Sequence, residues 1–295
     1  MNGVFIFNKP KGVTSHDVIY MFRKKLNIKK VGHTGTLDPI ATGVLPICIG
    51  KATKIAQYIT AEDKEYIATM KFGIETDTLD ITGNITRSDG RIPLSKEVVE
   101  SLVAFKGEIY QKPPMYSAIK VNGRKLYEYA RDGIEVDVKE RLVKISDISL
   151  LEKVSTDTFI IKINCSSGTY IRSLIRDIGY SLNTFATMTD LVRTRSGNFN
   201  IDNSIDEIIL KTSAVDDLEK SLIPIDAALN DFEAFEFPDE FYFRALNGVP
   251  FKTQADIKEN KLLRLYCRNE FIAIGEYKTT EEFSGIKIKK LLIGD

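Results

Sequence analysis

The stretch GHTGTLDPIATGVLPICIG, residues 32 to 50, constrains this 295-residue chain more than any other. It sets glycines and threonines around a single carboxylate, Asp38, and then runs into an apolar segment. Two readings of the loop compete. Asp followed by Pro is a good helix start, with Asp38 as N-cap and Pro39 at the first helical position. Alternatively, the small residues let a substrate approach the carboxylate closely. Taken locally the capping reading is the stronger, so the rest of the chain has to decide.

Around this loop the hydrophobic periodicity changes repeatedly between that of strands and that of helices. GVFIFNKPKGVTSHDVIYMFRKKL reads as a short strand, a Lys-Pro-Lys-Gly turn and an amphipathic helix, with Ser15 as cap and Val18, Ile19, Phe22 and Leu26 on one face. KEYIATMKFG alternates as a strand and breaks into the polar loop TDTLDITG, and LSKEVVESLVAF is helical with Ser95 as cap. TFIIKINCSSGTYIRSLIRDIGYSL gives an alternating strand, a turn and a helix entered near Thr169. This mixture predicts an α+β (mixed α/β) enzyme domain over residues 1–230. A composition shift near residue 230 leads into short strands, including a hairpin turning at Arg268–Asn269–Glu270. They predict a small β-barrel domain over 231–295, better suited to binding than to catalysis.

Net charge is zero, but it is unevenly placed. Residues 1 to 60 hold nine Lys and Arg against Asp17 and Asp38, whereas residues 200 to 240 hold twelve acids against Lys211 and Lys220. Such asymmetry permits a nucleic-acid face on a neutral chain. Several chemistries are excluded by their motifs. GVLPICIGKA has the wrong glycine spacing for a P-loop and Ala52 in place of the hydroxyl, and no Rossmann fingerprint opens a helix. His16 and His33 are the only histidines, and Cys48, Cys165 and Cys267 are far apart, so neither a metal centre nor a disulfide framework is expected. The apolar core VFIF near the start is too short for a signal peptide, and no stretch is long enough to span a membrane. A cytoplasmic protein without metal or nucleotide cofactor is expected, doing its chemistry with a carboxylate.

The ordered set NKPKGVTSHD, GHTGTLDPIATGVLPICIGKATK, KEYIATMKFG with TDTLDITG, PPMYSAIKVNGRKLYEYAR and GTYIRSLIRDIG closely resembles the TruB family of bacterial tRNA pseudouridine-55 synthases, from about residue 3 to residue 197. The remainder resembles the PUA module that often follows, on LNGVPF and FIAIGEY. The resemblance implies a mixed, largely antiparallel sheet flanked by helices, followed by the small barrel. It implies isomerisation of one uridine in the TΨC loop of tRNA to pseudouridine, with no cofactor because substrate and product hold the same atoms. The implied partner is the tRNA TΨC stem-loop, and a monomer is expected.

By the resemblance, Asp38 matches the family's nucleophile, and Tyr66 its active-site tyrosine, which can stack on uracil and move a proton. Arg172 is expected to hold Asp38 ionised through a bidentate hydrogen bond, against the rise in pKa that burial brings. His33 matches the histidine that fills the RNA stack when the target nucleotide is flipped out, and Leu191 an apolar active-site residue. Lys9 and Lys11 are candidates for phosphate-backbone contacts, and Tyr116 for the wall of the RNA cleft. Each also has an ordinary reading, as a core side chain or a solvated turn residue. Two rival functions remain at this point: a tRNA binder without turnover, and a hydrolase that releases uracil, which would want a second positioned carboxylate.

Overall fold

The structure is a computed structural model that describes residues 1–253 and 255–293. β1 (Gly3–Lys9) leads into α1 (Ser15–Leu26), whose buried face is the predicted Val18, Ile19, Phe22 and Leu26. Phe22 meets Phe7 of β1 edge-on, with ring centres 5.3 Å apart. The cap is Thr14 rather than Ser15: Thr14 Oγ1 accepts from Asp17 N, and the Asp17 carboxylate accepts from Thr14 N. Ser15 is released for another task. Its hydroxyl donates to Leu37 O and accepts from Leu37 N, at 3.0 and 2.9 Å, and so ties α1 to the Asp38 loop.

The chain continues through β2 (Val31–His33), β3 (Thr42–Ile49), α2 (Ala56–Thr60), β4 (Lys64–Phe72) and the ribbon β5 (Ile74–Thr76) and β6 (Ile85–Ser88). Next come α3 (Ser95–Ala104), β7 (Gly107–Gln111), the hairpin β8 (Lys120–Val121) and β9 (Arg124–Lys125), α4 (Leu126–Arg131), β10 (Arg141–Lys153) and β11 (Thr158–Cys165). Then follow α5 (Ile171–Ser181), β12 (Ala186–Ser196) and β13 (Phe199–Asn200). Ser95, read as a cap, is already inside α3; the Glu97 carboxylate accepts from Leu94 N instead.

One sheet runs β1-β3-β12-β4-β11-β10-β7, with β2 on β3 and β13 on β12. It is antiparallel except where β12 meets β3, through Val192 with Thr42 and Arg193 with Gly43. Gly43 makes that junction possible. It sits at φ +100°, and a Cβ there would lie 2.2 Å from the Arg193 carbonyl oxygen. The central strand β4 alternates strictly, burying Lys64, Tyr66, Ala68, Met70 and Phe72 on one face. Over that face lies α5, anchored by Leu174, Ile175 and Ile178. The expected mixed, largely antiparallel sheet with flanking helices is what forms.

After α6 (Glu207–Thr212) and α7 (Val215–Glu219), β14 (Glu233–Glu236), α8 (Tyr242–Leu246), β15 (Phe251–Lys252), β16 (Leu262–Cys267), β17 (Glu270–Thr279) and β18 (Ser284–Leu291) build a second sheet in the order β14-β16-β17-β18-β15. The predicted hairpin turns on Arg268 and Asn269, both at positive φ, so Glu270 already belongs to β17. This sheet has a core of its own, including Phe237, Phe251 and Leu265. It is not free-standing, however. Ile274 and Leu292 share an apolar cluster with Val4, Ile6, Val44 and Cys48 of the large sheet.

Candidate active site

No helix starts at Asp38. Residues 38 to 41 form a turn in which Ala41 N donates to Asp38 O at 3.0 Å, so the capping reading of the loop is set aside. The loop is held from beneath by Ser15, by Gly12 N on Pro39 O at 2.8 Å, and by Lys9. Lys9 is fully buried, and its ammonium donates to the carbonyls of Pro10, Val13 and Pro39 at 2.9, 2.7 and 3.3 Å. That corrects the expectation for Lys9. An ammonium enclosed by three carbonyls and without exposed surface braces the loop and has no route to an RNA phosphate.

Arg172 stands in the first turn of α5, 5% exposed, and its Nε lies 2.9 Å from Asp38 Oδ2. The pair is not the bidentate fork expected from the sequence. The other two arms are directed elsewhere, Nη1 to Thr78 O and Nη2 to Tyr116 O, each at 2.9 Å. Nη1 also lies 3.8 Å from Asp80 Oδ2. A planar guanidinium thereby fixes three chain segments around one carboxylate. Asp80, missed in the sequence, is itself held by Thr78 Oγ1, Thr82 N and Thr82 Oγ1 on its other oxygen. Between Thr78 and Asp80, Leu79 takes φ +62°, a conformation that costs a side-chain-bearing residue about 1–2 kcal/mol and that the surrounding bonds enforce.

A cleft of about 300 Å³ opens over this pair, near the lower end of the size range of ligand sites. Its walls include Asp38, Tyr66, Arg172 and Leu191 from among the expected residues. Strand geometry explains the gathering. Leu191 and Arg193 lie on one face of β12, between two register shifts that re-aim the strand, and Arg193 is the cross-strand partner of Tyr66. Arg193 is 1% exposed, donating Nε to Val44 O at 2.6 Å and Nη2 to Gly35 O at 2.9 Å. Neither it nor Lys64, nor the cleft-lining Tyr170, was singled out in the sequence. Strand alternation was an available signal for the first two: Lys64 is two residues from Tyr66, and Arg193 two from Leu191.

The remaining expected residues fall outside the walls of the cleft. His33 is half-buried on β2 opposite Ile47, with Nδ1 lacking a partner among the described residues. Tyr116 contributes its carbonyl to Arg172, while its neighbour Ser117 lines the cleft. Lys11 is exposed and pairs with Asp190 at 2.7 Å, beside Leu191.

Burial pushes the Asp38 carboxyl above the usual carboxylate range, with Arg172 and Lys9 pulling it down and Asp80 adding to the rise. The net direction is upward, so Arg172 limits the rise without abolishing it, contrary to the expectation that it would cancel it. A third of the Asp38 side chain remains open to solvent, which leaves the ionised form attainable. Burial also raises the Tyr66 phenol, opposed by Arg193. His33 is lowered, mainly by burial, and is neutral near pH 7. Burial brings both Lys9 and Lys64 down to about 8, with Arg193 contributing to each.

A carboxylate steered by an arginine thus stands beside a tyrosine and an apolar wall in one cleft of the mixed sheet. Residues 23–171 match the TruB family pseudouridylate synthase N-terminal domain, and residues 172–230 match the tRNA pseudouridylate synthase B C-terminal domain. The chain belongs to the TruB family, whose members are isomerases. It is 48% identical to tRNA pseudouridine synthase B of Clostridium tetani, over 99% of this chain and 100% of that one. Among solved structures it is similar to a chain of a Cbf5-Nop10-Gar1 complex, with TM-score 0.76, 27% identity and coverage of 99% of this chain and 85% of that one. It is likewise similar to a chain of an H/ACA RNP bound to a substrate RNA containing 2'-deoxyuridine, with TM-score 0.74, 25% identity and coverage of 99% and 85%.

Proposed function

We propose that this chain isomerises uridine 55, in the TΨC loop of tRNA, to pseudouridine, with Asp38 as the nucleophile. The observation that carries the reading is the contact between Arg172 Nε and Asp38 Oδ2 at the floor of a cleft that also holds Tyr66. The name of the Clostridium tetani relative supports tRNA as the RNA. The target nucleotide leaves the loop stack to enter the cleft, because C1′, C5 and C6 of a stacked uridine are out of reach of a carboxylate. Inside, the Asp38 carboxylate adds to the nucleotide, the N1–C1′ bond breaks and the uracil turns. A C5–C1′ bond forms as the bond to Asp38 is released and the carboxylate regenerated, N1 gaining a proton. Loss of the proton from C5 completes the product, and the Tyr66 hydroxyl is placed to take part in that transfer. Leu191 supplies an apolar wall for the uracil, and half-exposed, neutral His33 fills the vacated place in the RNA stack.

In this reading Lys11 exchanges its surface partner Asp190 for a phosphate, an exchange of low cost because exposed pairs are weak. Residues 231–295 form a PUA-like module adding RNA contact, and the enzyme acts as a cytoplasmic monomer. Incubation with an unmodified tRNA transcript tests the function. An unchanged RNA mass together with pseudouridine mapped at position 55 is expected. Loss of a base would mean hydrolysis, and unaltered uridine at that position would sink the proposal.

A further inference from the structure

The cleft holds more positive charge than its chemistry uses. Arg172 is matched by Asp38, but Lys64 and Arg193, which line the same cleft, have no carboxylate within 4.0 Å among the described residues. They are 5% and 1% exposed; Lys64 Nζ and Arg193 Nε and Nη2 donate to backbone carbonyls, and the Tyr66 hydroxyl lies against the Arg193 guanidinium. Burying a cation without a counter-charge is costly, and carbonyl dipoles offset that cost only in part. Lys64 Nζ donates to Thr60 O at 2.8 Å and to Glu62 O, which leaves one of its three N–H groups without a protein acceptor. Arg193 Nε and Nη2 are fixed on the carbonyls of Val44 and Gly35, which turns the rest of the guanidinium toward Tyr66 and the cleft.

Position completes the argument. Lys64 and Tyr66 are two residues apart on one face of β4, a separation of about 7 Å along a strand, comparable to the reach from a nucleobase to a phosphate of its own nucleotide. Arg193 stands across from Tyr66, so the two unmatched cations border the place where the base would lie. The Ser166–Thr169 turn, which also lines the cleft, adds no acid.

We propose that the Lys64–Arg193 wall is an anion subsite that receives a phosphate flanking the target nucleotide, with Lys64 making the contact and Arg193 supplying field. Glu62 and Asp63 act on Lys64 from beyond pairing distance, and the substrate strand thus brings the directly paired anion. This inference rests on the reading of the cleft as the uridine site, and it adds which part of the strand the cationic wall recognises.

The test uses the full chain and synthetic TΨC stem-loops in which the phosphate 5′ or 3′ to the target uridine is replaced by an uncharged methylphosphonate. The parent protein should bind one of the two neutralised stem-loops about tenfold more weakly than the native one, a loss of about 1.4 kcal/mol. Lys64→Gln should bind that stem-loop and the native one alike. Equal binding of all three stem-loops by the parent overturns the proposal, and so does a Lys64→Gln protein that keeps the parent's preference. Should the variant fail to fold, the parent's discrimination decides by itself, since it needs no substitution. Pseudouridine formed from the native stem-loop is scored separately. Its absence would count against the isomerase reading, while phosphate discrimination is read from binding alone.

Discussion

Arg172 Nε sits 2.9 Å from Asp38 Oδ2, while the same guanidinium binds the carbonyls of Thr78 and Tyr116. The carboxylate is therefore oriented by a side chain that also anchors the TDTLDITG loop and the PPMYSAIK segment. The arrangement orients Asp38 through a single hydrogen bond and leaves Oδ1 free of Arg172. A carboxylate gripped on both oxygens would be a poorer nucleophile, since each charge-assisted bond lowers its basicity.

Asp38→Asn keeps an oxygen for Arg172 Nε and nearly the same volume. Turnover should fall by at least about a thousand-fold, as when a nucleophile is removed from a concerted constellation. Affinity for tRNA should change little, because the phosphate and stacking contacts are untouched. Pseudouridine mapping together with a binding isotherm checks both halves, and measurable turnover at a few per cent of parent would remove Asp38 from the nucleophile role.

Arg172→Lys keeps a positive charge but cannot reach Asp38, Thr78 and Tyr116 together. The rate should drop about 100-fold, as for other misplacements of about 1 Å in a reacting group. Its pH profile carries a second signature. Asp38 has a raised pKa in the folded protein, so the ionised, active form is lost as pH falls through that raised value. Removing the direct Arg172 hydrogen bond takes away one of the influences that lower it. The acid limb of the rate should then move to higher pH, and an unmoved limb would show that Arg172 acts only by position.

Tyr66→Phe retains the ring that faces the cleft and loses the hydroxyl beside Arg193. The rate should fall by about 100-fold or more, the usual contribution of a positioned acid or base, with KM nearly unchanged. A matched fall in affinity would assign the hydroxyl to binding instead.

Asp38, Tyr66, Arg172 and Leu191, which line one cleft, were legible only through the resemblance of GHTGTLDP, KEYIA, GTYIR and TDLVRTRSG taken in order, since each residue alone has an ordinary local reading. What escaped notice follows a physical pattern. Arg193 and Lys64 read as solvated charges on strands, because their charge outweighs the alternation that puts them on the buried faces shared with Leu191 and Tyr66. Asp80 lay in a polar loop whose purpose is visible only once Arg172 reaches it from α5, 92 positions later. Lys9 failed in the opposite direction. A lysine in a Lys-Pro-Lys-Gly turn reads as exposed, and only the approach of Pro39 from the Asp38 loop encloses it.

Truncation before residue 232 tests how far the second sheet stands alone. Removing Ile274 and Leu292 uncovers Val4, Ile6, Val44 and Cys48, and it also breaks the bond from Arg264 to Asp226 O. Stability should fall by about 3 kcal/mol or more, given about 1.5–3 kcal/mol for each large aliphatic side chain whose burial is lost. Denaturant unfolding of parent and truncated chains would show it. A truncated chain as stable as the catalytic part of the parent would make the C-terminal sheet a detachable module.

The two lysines of the NKPKG turn should behave as opposites. Lys9→Met removes a donor from three carbonyls, of which Pro39 O keeps Gly12 N, so two are left unpaired at about 1 kcal/mol or more each and the fold should lose about 2 kcal/mol. Because Lys9 meets no solvent, the salt dependence of tRNA binding by the folded variant should match that of the parent. Lys11→Ala removes an exposed side chain whose surface ion pair contributes little, and stability should stay within about 0.5 kcal/mol. Its effect should appear in binding, as a log–log salt slope shallower by slightly less than about one, the share of a single phosphate contact. Chemical denaturation and a salt titration of affinity, run on both variants, separate brace from contact. A shallower slope for Lys9→Met, or an unchanged slope for Lys11→Ala, would reverse the assignment.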